Sequence, residues 1–173
     1  MFRLDQLSYR TLQWLVAACA CLHNLEEALT MPTYAPLVHA RFSAFAPPAL
    51  LRITEHLSWF YCGLVLATIA PLIAVRVAVT HPTNRAAAGV VVFVQSIFLV
   101  NVAIPHVPAA FLLGGYAPGI ITAVAIELPF SVWFLRRSLR EGVIGPSGLV
   151  VMVGLAVPAL LLALGLIYAV ART

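Results

Sequence analysis

The stretch "TLQWLVAACACLHNLEEALTM", residues 11–31, decides how the rest of the chain is read. It is long enough to cross a bilayer, for which about 20 mostly apolar residues suffice. Yet it carries His23, Glu26 and Glu27. A charge at the centre of a membrane helix costs roughly 2.5–3.5 kcal/mol on insertion scales, so such residues face a polar interior and mark functional sites. The three stand at i, i+3 and i+4, which places them on one helical face, with Asn24 and Leu25 displaced from it.

Working outward, the 173 residues are 62% hydrophobic and 9% charged, with a mean hydropathy of +1.01. Soluble domains carry about 25% charged residues, so the composition is that of an integral membrane protein. Four more apolar stretches follow, at about 53–79, 87–112, 117–135 and 148–170. Backbone groups in lipid must bond internally, so all five are read as helices. The expectation is an all-α, polytopic membrane protein: residues 1–173 as a single domain, a bundle of five transmembrane helices. Because apolar stretches continue to the C-terminus, no removable signal peptide is expected.

Every cation is arginine. Arg3, Arg10, Arg76, Arg85, Arg136, Arg137 and Arg140 fall on one side of the spans, and Arg41, Arg52 and Arg172 on the other. The positive-inside rule then puts the N-terminus inside and the C-terminus outside. A net charge of +4 in so apolar a chain argues against nucleic acid as a partner. Cys19, Cys21 and Cys62 lie in apolar runs and read as small packing residues. The connection 32–52, bracketed by Pro32, Pro36, Pro47 and Pro48, is predicted to lie between spans, with a short interfacial helix around "LVHARFSAF". "LGGYAPG", 113–119, is predicted as a tight turn.

Depth brings other polar residues to the same half of the bilayer. At 1.5 Å per residue, His23 lies roughly 18 Å from the inner side and Glu26 roughly 22 Å. Glu55 and His56 open the second span from the outer side, and His106 comes late in the third. Glu127 lies roughly 15 Å down the fourth. Pro105 and Pro129 withdraw helical donors from the carbonyls of Asn101 and Ala125. A pocket of His23, Glu26, Glu27, Glu55, Asn101, His106 and Glu127 is therefore expected. The fifth span has no ionisable side chain, and pairing of protomers through its Gly154 or Gly165 is left open.

Two histidines and four carboxylates in a helical bundle form the ligand inventory of a carboxylate-bridged dimetal site. A mononuclear zinc site is equally buildable. The expected ligands of a divalent metal, zinc or iron, are His23, Glu26, Glu27, Glu55, His106 and Glu127. Glu27 and Glu127 double as general acid or base on water activated by the metal, with Asn101 beside them. His56 and Tyr116 are assigned to the substrate pocket.

"HNLEE" at 23–27, the separate His106 and "YAPG" at 116–119 resemble the family of bacterial membrane proteins named after its HXXEE motif. The correspondence runs through His23, Glu26, Glu27, His106, Tyr116, Pro118 and Gly119, and covers roughly residues 12–135. The family's function is uncharacterised. The resemblance implies the bacterial inner membrane as location and marks the same polar residues that depth and spacing select.

The function expected is that of a membrane metalloenzyme acting on a lipophilic small molecule within membrane lipid. Metal-water hydrolysis comes first and di-iron oxidation second. Two alternatives stand beside it: a metal-free acid–base isomerase or cyclase of an isoprenoid or sterol-like substrate, and a proton or metal-ion transporter.

Overall fold

The computed structural model describes residues 6–46 and 48–170 and, among them, contains helices and no strand. Arg3 and Arg172, which entered the arginine count, and Pro47 lie outside the described residues. Helix α1 runs Tyr9–Phe42, α2 Pro48–Glu55 and α3 Leu57–Thr80. Helix α4 is Arg85–Leu112, α5 covers residues 120–140, and α6 is Pro146–Val170.

Three helical stretches among the described residues are long and apolar enough to cross a membrane: Leu57–Thr80, Arg85–Leu112 and Pro146–Leu166. This corrects the expectation of five. The two that fall short are α1 and α5, and the reason is what they carry. Helix α1 holds His23, Asn24, Glu26 and Glu27, and α5 holds Glu127 and three arginines near its end.

Successive long helices run antiparallel. The main apolar core joins the start of α1 (Leu12, Val16) to the end of α3 (Val75, Val79), the start of α4 (Val91, Val92) and the end of α5 (Phe134, Leu135). Tyr9 secures this end by a 2.9 Å hydroxyl contact with Ser138 and by stacking on Phe134 at 5.7 Å. A smaller cluster, Ala110, Leu113 and Ala117 with Val38 and Phe42 against it, closes the opposite end. Between the two, Asn24 Nδ2 on α1 donates to Thr68 Oγ1 on α3 at 2.7 Å. Such interhelical bonds hold membrane helices together where burial of apolar surface drives little association.

Proline produces two departures from expectation. The predicted break at Pro32 and Pro36 does not occur, and α1 continues to Phe42, taking up the segment assigned to an interfacial helix. Pro32 deprives the Ala28 carbonyl of its helical donor, and the Tyr61 hydroxyl on α3 replaces it at 3.2 Å. At about 1.5 Å per residue α1 is roughly 51 Å long, well beyond a bilayer core of about 30 Å. In α4 and α5 the chain answers proline by widening into π turns, Val102–His106 and Ala123–Glu127. There the Val107 N–H donates to the Val102 carbonyl, and the Leu128 N–H to that of Ala123, one residue further back than in an α-helix.

Candidate functional site

The widened turns position the site. His106 is the last residue of the π turn in α4 and is buried, facing His23 and Glu27, which sit one turn apart on α1. Ligand atoms of the three lie within 4.8 Å of one another. Glu27 Oε1 is 3.9 Å from His23 Nε2 and 3.4 Å from His106 Nε2. The two imidazoles meet edge to face, with centroids 4.6 Å apart. Glu27 keeps 16% of its exposure against 1% for His23, so the group opens on its carboxylate side.

The hydrogen-bond partners assign the tautomers. His106 Nδ1 lies 3.1 Å from the Pro118 carbonyl, which only accepts, so Nδ1 carries the proton and Nε2 the lone pair. His23 Nδ1 lies 3.1 Å from Thr122 Oγ1. That hydroxyl spends its one hydrogen on Glu26 Oε2 at 2.6 Å, so it accepts from His23 Nδ1–H. Both Nε2 lone pairs therefore face the group. Asn101 Nδ2 confirms this from the other side, donating toward His106 Nε2 at 3.0 Å and His23 Nε2 at 3.4 Å.

Gly119 closes the arrangement. Its φ of +82° is in the left-handed region that favours glycine. A Cβ built there would stand 2.7 Å from Glu27 Cγ and 2.9 Å from Cε1 of both histidines. The "YAPG" turn thus presses its backbone directly on the HXXEE face and on the second histidine. The profile of a family described as proteins of unknown function with an HXXEE motif matches residues 14–134. The chain belongs to the HXXEE family. No curated protein and no solved structure matches it.

The three HXXEE motif positions divide their work. Glu26, expected as a ligand, turns away from the histidines toward the first turn of α5. It accepts from Thr122 N at 2.6 Å, Thr122 Oγ1 at 2.6 Å, Ile121 N at 3.2 Å and Tyr116 Oη at 2.9 Å. A carboxylate there satisfies orphan helix N–H groups and sits at the positive end of the helix dipole. Tyr116 accordingly donates to Glu26 and packs against Tyr34 with tilted rings, centroids 4.8 Å apart; burial, aided by the Glu26 charge, holds its phenol above the ordinary value. It remains a donor.

Glu127 falls in a separate buried cluster. Gln95 Nε2 donates to Glu127 Oε2 at 3.2 Å and to Ser131 Oγ at 2.6 Å, while Gln95 Oε1 and Glu127 Oε1 have no partner among the described residues. Glu55 and His56 are not brought to the site of this HXXEE protein. Glu55 ends α2 and pairs across 3.8 Å with His39, which also contacts Thr54 Oγ1 at 3.0 Å. His56 is the exposed break between α2 and α3, with φ −121° and ψ 79°. The second span was expected to begin before this break, and that is why both residues were assigned too deep.

Sequence reasoning missed Thr122, the Pro118 carbonyl, Gln95 and Ser131. Thr122 carries one usable signal, a hydroxyl in the first turn after a glycine, within reach of an acid on another helix. Gln95 is a lone amide in an otherwise apolar span, and that too was readable.

These donors fit a metal. Ligands about 2.1 Å from a tetrahedral zinc stand roughly 3.4 Å apart, close to the 3.4 and 3.9 Å observed. Each metal-binding histidine characteristically donates its other ring N–H to an oxygen, as both do here. Two imidazoles and one carboxylate are also the donor set of open catalytic zinc and iron(II) sites.

Proposed function

We propose that this chain is an integral-membrane metalloenzyme acting on a lipophilic small molecule, with α1 and α5 held in the bilayer by their packing on the three more apolar helices and the N-terminus on the arginine-rich side. The observation that carries the reading is the convergence of two Nε2 lone pairs and a Glu27 oxygen, with both Nδ1 protons already committed elsewhere. Each neutral imidazole is thereby held as an acceptor, the form a metal needs.

In this reading His23, His106 and Glu27 hold a single divalent ion, zinc or iron. The ion supplies Lewis-acid activation of water for hydrolysis of the substrate. The chain's own groups do the rest. Glu27 presents its second oxygen on the open side, where it takes a proton. Asn101, whose amide reaches both histidines, orients a polar atom of the substrate. Glu26 positions the site through Thr122 and Tyr116. The apolar core of Leu12, Val16, Val91, Val92 and Phe134 lies beyond the Gln95 cluster. That core favours a site open to one side over an ion pathway through the bundle.

Element analysis of the purified chain tests the proposal. About one zinc or iron per chain is expected, falling to background in His23→Ala. Equal metal in the two proteins would sink it, and so would its absence from the parent.

A further inference from the structure

A second feature lies on a face of α5 lined by none of the candidate-site residues. A groove of about 670 Å³ runs along that face, lined by Val124, Leu128, Val132 and Trp133 and then by Arg136 and Arg140. Its volume is in the range of small-molecule sites, about 300–1,000 Å³. Val124, Leu128, Val132, Arg136 and Arg140 recur every fourth residue, so one stripe of the helix is apolar for two turns and cationic for the next two. From Val124 to Arg136 is roughly 18 Å of helix. That is near the half-thickness of a bilayer core of about 30 Å. A phospholipid has the same order along its length: acyl chain, interface, charged head.

The charge balance supports this. Arg137 also lines the groove, and it holds Glu141 through Nε at 2.8 Å and Nη2 at 2.7 Å. Arg136 and Arg140 are exposed and make no ion pair among the described residues. Three arginines against one glutamate leave a local charge of +2, on the side that the arginine count assigns to the cytoplasm. Basic clusters at that level attract anionic head groups. Trp133 sits where the apolar stripe turns cationic, the depth at which tryptophan concentrates in membranes.

We propose that this groove is a binding site for an anionic phospholipid: one acyl chain along Val124, Leu128 and Val132, the phosphate on Arg136 and Arg140. The site is independent of the metal group. It rests on the part of the proposed function that places α5 in the bilayer.

The test uses the full chain in neutral detergent, titrated with phosphatidylglycerol, phosphatidylcholine or inorganic phosphate, with thermal unfolding as readout. Phosphatidylglycerol raises the midpoint in a saturable way, and the other two do not. The double variant Arg136→Gln/Arg140→Gln weakens that response about thirty-fold, at about five-fold per arginine, with the histidine group untouched. Leu128→Trp fills the apolar half and weakens it with both arginines in place. Equal responses to the two lipids overturn the proposal. So does a response reproduced by phosphate alone, or an undiminished response in both variants. Labelling of Val132→Cys in intact membranes separates the two readings. Free reaction with a water-soluble thiol reagent, beyond that of the parent, refutes the bilayer placement of α5. Protection without lipid selectivity refutes the lipid site alone.

Discussion

Two buried polar clusters stand in the same bundle, and they are built on opposite principles. In the group of His23, Glu27 and His106, every outward-facing ring N–H is committed, to Thr122 or to Pro118, and the Nε2 lone pairs point inward, where only the Asn101 amide meets them among the described residues. In the cluster of Gln95, Glu127 and Ser131, one amide serves both neighbours, and two oxygens, Gln95 Oε1 and Glu127 Oε1, are left without partners among the described residues. The first is held from outside for something to be gripped at its centre. The second is held only by its own members. A carboxylate buried in a helical bundle does not make a ligand; second-layer bonds that orient its neighbours do.

Mutations can break this distinction or sharpen it. On the metal reading proposed above, the largest effect is expected from His106→Ala, which removes a proposed ligand: metal affinity falls more than about 100-fold, beyond the range of second-layer changes, read by element analysis after dialysis. Gly119→Ala comes next. Its Cβ would collide with all three ligand side chains at a positive φ, a strain of order 1–3 kcal/mol. Metal is lost, and the unfolding midpoint drops by about 5 °C. An intact metal content in that variant would mean the turn does not press on the site.

Thr122→Val leaves the ligands in place but takes away the acceptor for His23 Nδ1–H. A 10- to 100-fold loss of metal affinity, roughly that of other outer-layer changes, is expected by competition with a chelator. Gln95→Leu should behave in the opposite sense. It strips Glu127 of its donor and costs about 1–3 kcal/mol of stability, yet leaves metal affinity within about three-fold of the parent, below a 0.7 kcal/mol change. If Gln95→Leu emptied the site, the two clusters would be one. The smallest effect belongs to Glu55→Gln, at the exposed end of α2. Stability should move by no more than about 0.5 kcal/mol, and metal content not at all.

How far the sequence could be read follows the same division. The strongly apolar spans were legible because nothing in them competes with the hydropathy signal, and α3, α4 and α6 lie close to where they were expected. His23, Glu27, Asn101 and His106 were legible because spacing and depth are local properties of single helices. What was not legible depends on a second helix. Pro32 reads as a helix end until Tyr61 is found supplying its missing hydrogen bond. Glu26 and Glu27 are identical side chains one residue apart. Only the approach of α5 to one and of His106 to the other separates a cap from a proposed ligand. Glu55 was misplaced because the break at His56 has no glycine or proline to announce it.

The two π turns give the site a further property, a dependence on chain length. Each π turn holds one residue more than an α-helical turn would, and each residue of an α-helix advances the side chains by about 100°. To become a regular helix at its present length, α4 would have to give each residue of this turn the full α-helical advance. His106 would then swing out of the group by about a quarter turn, with Asn101 left where it is. Regularising the helix at this length would dismantle the site, so α4 can keep its ideal geometry or its histidine, and the structure keeps the histidine.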